Sequence, residues 1–182
     1  MKWLKILIYS LPAMLFMTSE HLPAQKISVS AGIYDFMDNT TREFYLLSPV
    51  LLIGCDVWNK NLMSLNVSTG LSFNSIKYNN HHHFLYMVPI NGAFFYEMIN
   101  PGAKVWPVIG MGISLMGKAD KNKDFDKTHY SATYGYHATG EIRISMSPEL
   151  LFKFALTYNG LMPSVPEEVD LKGMIVTMGV VF

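Results

Sequence analysis

Along most of this chain apolar and polar residues alternate one by one, and a period of two marks a β-strand with two unlike faces. The stretch 62–74 is the plainest case: Met63, Leu65, Val67, Thr69, Leu71 and Phe73 fall on one face, against Ser64, Asn66, Ser68, Gly70, Ser72 and Asn74 on the other. In 129–145, Tyr130, Ala132, Tyr134, Tyr136, Ala138, Ile142 and Ile144 oppose His129, Ser131, Thr133, His137, Thr139, Glu141 and Arg143. In 149–159, Leu150, Phe152, Phe154, Leu156 and Tyr158 oppose Leu151, Lys153, Ala155, Thr157 and Asn159. The final run sets Met174, Val176, Met178, Val180 and Phe182 against Gly173, Ile175, Thr177, Gly179 and Val181. Four further strands, about 27–36, 43–57, 84–97 and 104–116, alternate with some blurring at Pro49, Pro89 and Pro107. Eight strands are predicted.

Turn residues divide them. Tight connections are expected at Asn59-Lys60-Asn61, Asn100-Pro101-Gly102 and Ser147-Pro148, and longer polar ones at about 37–42, 75–83, 117–128 and 160–170. Short and long connections alternate, which gathers the short ones at one end of an antiparallel array. Two barrels of opposite sense fit this pattern, one soluble with its apolar face inward and one spanning a membrane with its apolar face on lipid. Volume decides between them. The lumen of an eight-stranded barrel is just wide enough for side chains to fill, and the Phe, Tyr, Leu, Ile and Met of the apolar face would overfill it. The Ser, Asn, Gly and Thr of the other face suit a narrow interior. Aromatics also gather toward both strand ends, as interfacial girdles do: Tyr45, Phe73, Phe84, Tyr86, Tyr130 and Tyr158 toward the long-loop end, and Phe94, Tyr96, Phe152, Phe154 and Phe182 toward the short-turn end. Tyr134 and Tyr136 sit nearer the middle, outside that rule. The expected fold is an all-β, eight-stranded, antiparallel up-and-down transmembrane barrel.

Composition agrees. Charged residues are only 15% of the chain, against roughly 25% in a soluble domain, while hydrophobic residues reach 50%. Fourteen basic and fourteen acidic residues leave no positive footprint for nucleic acid. The one cysteine, Cys55, excludes an internal disulfide and falls on the lipid-facing phase. Residues 1–24 read as an export signal: Lys2 and Lys5 precede an apolar run from Ile6 to Met17, and Ala24 is a small residue at the expected cut. That run is too short for a membrane-spanning helix, which needs about 20 apolar residues. The barrel is expected to occupy 25–182.

With these features the chain resembles the eight-stranded outer-membrane barrels of the OmpX type and the transmembrane domain of OmpA. The matching features are the signal segment, the eight alternating strands, the turn-and-loop rhythm and a last strand, 171–182, that ends on Phe182 behind Val180, Val176 and Met174. The resemblance implies a location in the outer membrane of a diderm bacterium, with short turns toward the periplasm and long loops outside. It also implies that the terminal strand is read by the barrel-insertion machinery, and that the partners are outer-membrane lipids and lipopolysaccharide. A monomer without a nucleic-acid partner is expected.

Six charged residues, Asp56, Glu97, Lys104, Glu141, Arg143 and Lys153, lie on the polar phase and are expected to plug the lumen as an ion-pair network. Across the Ser147-Pro148 turn, the register that opposes Glu141 to Lys153 is expected, because the alternative would oppose Arg143 to Lys153. His129-Tyr130-Ser131 resembles part of the His-x-Ser-Asn motif of outer-membrane lipid A deacylases, but Ala132 replaces the Asn. Glu141 lies ten residues beyond Ser131 on the same strand, ~33 Å away at ~3.3 Å per residue, and cannot orient His129. Tyr158-Asn159-Gly160 lacks both His and Ser, and His137 and Glu141 are ~13 Å apart along their strand. His81-His82-His83 offers at most two ligands on one side and has no acid nearby, short of the three or four that a metal site needs. Gly110-Met111-Gly112, near Trp106, is a packing feature inside a strand and not a nucleotide loop. The mixed charges of 117–128, from Lys118 to Lys127, read as a solvated loop in contact with lipopolysaccharide head groups. No catalytic residue, cofactor site or metal site is predicted. The expected role is structural, in envelope integrity or adhesion; the alternatives are a lipid A-modifying hydrolase and a small-solute channel.

Overall fold

A computed structural model of the protein describes residues 26–78, 81–98, 103–122, 127–162 and 170–182. The expected export segment 1–24 and the Asn100-Pro101-Gly102 turn lie outside them. The elements are β1 (Ile27–Phe36), α1 (Asn39–Tyr45), β2 (Leu47–Lys60), β3 (Met63–Tyr78), β4 (His81–Glu97), β5 (Val105–Asn122), β6 (Lys127–Ser147), β7 (Leu150–Met162) and β8 (Gly173–Val181). Each strand pairs antiparallel with its sequence neighbours, and β8 pairs with β1 to close the barrel. Reciprocal 2.9 Å bonds between the backbones of Ile27 and Phe182 tie the seam at the short-turn end. Closure leaves no sheet edge across the span, where each unpaired N–H or C=O in hydrocarbon would cost several kcal/mol.

Side chains alternate across the wall as the periodicity predicts. Met111, Ile113, Tyr134 and Phe94 are among the exposed residues outside, while Ser30, Ser48, Ser114 and Asn159 are buried inside. Tyr136, which breaks the girdle rule, lies on the outer wall with its ring over Gly160: a Cβ on that glycine would stand 2.5 Å from the ring. Its ring centroid is 6.1 Å from that of Tyr158. Mid-wall aromatic surface is thus fixed by a small cross-strand partner.

Several local expectations are corrected. The strand expected from 43 begins at Leu47, and 39–45 form a helix. Asp38 caps it by accepting from the Thr41 amide and hydroxyl, both at 2.8 Å. The chain then turns sharply through Leu46, at φ 47°. Tyr45, expected on lipid, is instead buried inside the barrel mouth, where the Asn74 amide donates to its carbonyl. The turn expected at Asn59-Lys60-Asn61 is Asn61-Leu62, with Asn61 at φ 57°, and that at Ser147-Pro148 is Pro148-Glu149. Of the long loops, 75–83 and 117–128 are mostly strand, so the strict alternation of long and short connections fails. β3 to β6 run for 16, 17, 18 and 21 residues, against 10 in β1 and 9 in β8. About 9–11 residues suffice to cross a bilayer. In β4 and β5 the extra length, His81 to His83 and Lys118 to Asn122, continues the hydrogen-bonded ladder into mostly polar sequence, so the alternation fades although the strand does not.

The interior is also not uniformly small and polar. Toward the long-loop end it is filled by an apolar cluster that includes Tyr34, Phe36, Leu85, Met87, Leu161 and Ile175. Leu85 is 0% exposed. Leu85→Ala is expected to cost about 2–5 kcal/mol, the range for a buried leucine that leaves a cavity. Denaturant unfolding from micelles checks this, and a loss within experimental error would mean that the cluster does not pack as described.

Candidate functional site

The lumen is the candidate site, and it is built in three levels. At the short-turn end, β6 and β4 bring Arg143 between two carboxylates. Its Nε donates to Glu141 Oε2 at 3.0 Å and its Nη1 to Glu97 Oε1 at 2.9 Å. Arg143 is 4% exposed and Glu141 6%. Asp56, on β2, accepts from the Asn66 amide at 2.7 Å, and Lys153, on β7, donates to Ser28 Oγ at 3.2 Å. Lys26, at the rim, stands 3.9 Å from Glu97.

Five of the six predicted lumen charges therefore meet in one layer. Lys104 does not: it is exposed at the bend before β5, where its carbonyl accepts from the Ser145 amide at 2.8 Å. The predicted register is corrected as well, since Arg143 stands opposite Lys153 and Glu141 opposite Ala155. A two-residue turn and a bulge at Met146 determine that pairing. The like charges tolerate it because Arg143 is held by its two carboxylates and Lys153 is directed to Ser28.

Above this layer lies a polar belt. Ser114 Oγ is 2.7 Å from Asn91 Oδ1, 2.9 Å from His137 Nδ1 and 3.3 Å from Asn159 Oδ1. Thr139 and Thr157 hydroxyls meet at 2.9 Å. A cavity of about 50 Å³ separates belt and ionic layer, bordered by Ser28, Asn66, His137, Thr139, Glu141 and Lys153 among others. At about 10–15 Å³ per water it has room for only a few water molecules.

The third level is the apolar cluster, which closes the loop-side mouth. The Tyr34 hydroxyl donates to the Leu171 carbonyl within it. Burial pushes the Tyr45 hydroxyl well above the usual phenol range, and the nearby Asp120 carboxylate acts in the same direction. The pattern of the chain concealed this level because both phases of β4 are apolar there: Phe84 and Tyr86 on one, Leu85 and Met87 on the other. A smaller cluster of Ala93, Phe95, Val108 and Trp106 packs inside near the short turns. Phe95 fits because its ring lies over Gly110, where a Cβ would stand 2.5 Å away. The Gly110-Met111-Gly112 stretch is thus a packing feature, as expected.

The remaining motifs do not assemble into chemistry. His129 is exposed, while the Ser131 hydroxyl is buried and has no hydrogen-bond partner among the described residues, His129 included. Asp120 stands across from His129 and Lys118 across from Ser131. Lys118, expected in a solvated loop, is 7% exposed on the inner face of β5. His81 to His83 belong to β4 and not to a loop, and no cluster of three or more potential metal ligands occurs among the described residues. Ser114 and His137 do form a Ser–His hydrogen bond, which the sequence reading missed. It lies between the ionic and apolar levels, and the other partners of Ser114 are the side-chain amides of Asn91 and Asn159. Cys55 lies on the outer phase, opposite Ile27 and Val67, as expected.

Several solved structures have a similar shape. Neisserial surface protein A matches with a TM-score of 0.70 at 13% identity, over 89% of this chain and 98% of its own. The outer-membrane protein OprG from Pseudomonas aeruginosa matches with a TM-score of 0.66 at 9% identity, over 88% and 96%. Ail, the attachment invasion locus protein of Yersinia pestis, solved with the heparin analogue sucrose octasulfate, matches with a TM-score of 0.54 at 7% identity, over 87% and 97%. The chain has the fold of the eight-stranded outer-membrane β-barrels. No family model and no curated protein sequence matches it. Identities this low carry the architecture and not the activity, so the role of this outer-membrane-type barrel has to be argued from its own lumen and surfaces.

Proposed function

We propose that the protein is a monomeric barrel of the outer membrane of a diderm bacterium, closed to solutes, which serves envelope integrity or adhesion through its loop-side surface. The observation that carries this reading is the double seal: a buried ionic layer at one end and an apolar cluster at the other, with a cavity of only about 50 Å³ in the interior between these ends. A continuous path would require both to come apart. The lengthened β3 to β6 present polar surface beyond the span, where lipopolysaccharide and external partners are met. The attachment role in the name of one structural neighbour accords with that use. The alternating apolar residues of β8, which closes on β1, support recognition by insertion machinery.

Sugar-driven swelling of proteoliposomes tests the seal. The expected rate equals that of protein-free vesicles; a rate that climbs with protein content would overturn the closed-lumen reading and favour a solute channel.

A further inference from the structure

The wall near the short turns carries a feature that neither the fold nor the closed lumen requires. Along β2, even-numbered residues face the lumen as far as Asp56, which is 5% exposed. The register then slips by one residue: Asp56 opposes Asn66, but Trp58 opposes Leu65, leaving Val57 as the extra residue. Beyond this bulge the phase is reversed. Asn59 stands opposite the buried Ser64, whereas Lys60 stands opposite the exposed Met63. Trp58 and Lys60, which unbroken alternation would send into the lumen, are thereby turned onto the outer wall. Bulges re-aim side chains in this way.

The neighbours on that wall complete an amphipathic patch. Met63 opposes Tyr96 and Leu65 opposes Phe94, so Trp58, Lys60, Met63, Phe94 and Tyr96 form one outward surface at the short-turn rim. Trp58 is 40% exposed and Tyr96 44%. Indole N–H, phenol O–H and ammonium are three donors at one level, on rings and a stem whose apolar parts match the acyl chains below. The exposed side-chain charge around them has one sign in excess. Among the described residues, Lys60 and Lys104 are exposed at this end against Glu149, while Glu97 is taken up by Arg143 and Lys26.

We propose that the bulge at Val57 builds a binding site for the phosphate headgroup of an anionic glycerophospholipid in the leaflet at the short-turn end. Lys60 supplies the charge, and Trp58 and Tyr96 hold the headgroup level. The site rests on the lipid-facing orientation of the wall and not on the closed lumen, so a leaky barrel would leave it standing. A basic residue close to an anionic membrane surface is worth roughly a five-fold preference.

The test is native mass spectrometry of the protein released from nanodiscs of phosphatidylcholine containing a minority of phosphatidylglycerol. Folding of each variant is checked by the heat dependence of its gel mobility. The wild type is expected to retain phosphatidylglycerol in preference to phosphatidylcholine. Lys60→Gln should lower that ratio roughly five-fold, whereas Lys60→Arg and the loop-side control Lys172→Gln should keep it. Absence of a preference in the wild type would overturn the site. So would a Lys60→Gln protein that retains lipid as the wild type does, or a Lys172→Gln protein that loses as much as Lys60→Gln.

Discussion

Replacing Arg143 with Met is expected to destabilise the barrel by about 3–5 kcal/mol, the largest effect of any single change in the ionic layer. The cost does not come from the loss of attraction alone. Among the described residues, Arg143 is the one cation within hydrogen-bonding distance of both Glu97 and Glu141, and Glu141 is 6% exposed. Without the guanidinium, the buried Glu141 carboxylate loses the charge partner that is hydrogen-bonded to it. Lys153, opposite on β7, donates to Ser28 instead. The same logic predicts recovery: combining Arg143→Met with Glu97→Gln and Glu141→Gln should restore most of the loss, because charge and counter-charge leave together. Urea unfolding in lipid vesicles measures both variants. A single variant as stable as the wild type would show that the ionic layer is hydrated and loose, and the seal argued from it would fail.

The second large effect lies on the opposite face of the wall. Met111, on β5, is 71% exposed and about midway between the two ends of the span. Met111→Arg is expected to cost about 2–4 kcal/mol, the range for a cationic side chain on the lipid face at the bilayer midplane. On a water-washed surface the same change would fall within about 0.5 kcal/mol of zero. The two orientations of the barrel therefore predict results several-fold apart for one substitution. Unfolding from vesicles reads the difference directly, and a neutral Met111→Arg would place that wall in water.

How much of this was legible in the sequence depends on what each strand borders. β7 and β8 have lipid on one side and, apart from Leu161 and Ile175, mostly small or polar side chains on the other, and their alternation gave faces and ends to within a few residues. β4 has apolar neighbours on both sides near the loops, so Leu85 and Met87 could not be told from Phe84 and Tyr86 by pattern. α1 was hidden because its signal is a single capping aspartate, Asp38, before a stretch too short for helical periodicity to register. Five charged residues of the ionic layer were readable from phase, whereas Lys118 was missed because its stretch reads as a polar loop. The partners of those five were not readable. Pairing across β6 and β7 depends on a bulge at Met146, and the outward turn of Lys60 depends on another at Val57. A single inserted residue leaves composition and motif unchanged while it moves every side chain beyond it to the other face.

The claim on which lumen, seal and lipid site all depend is that the apolar face of the wall meets hydrocarbon. Spin labels at Ile109, Met111 and Ile113, in the protein reconstituted into bilayers, address it most directly through their relaxation by oxygen and by a water-soluble nickel complex. The account predicts high collision rates with oxygen and almost none with nickel at all three positions. Ready access by nickel at these positions would contradict it.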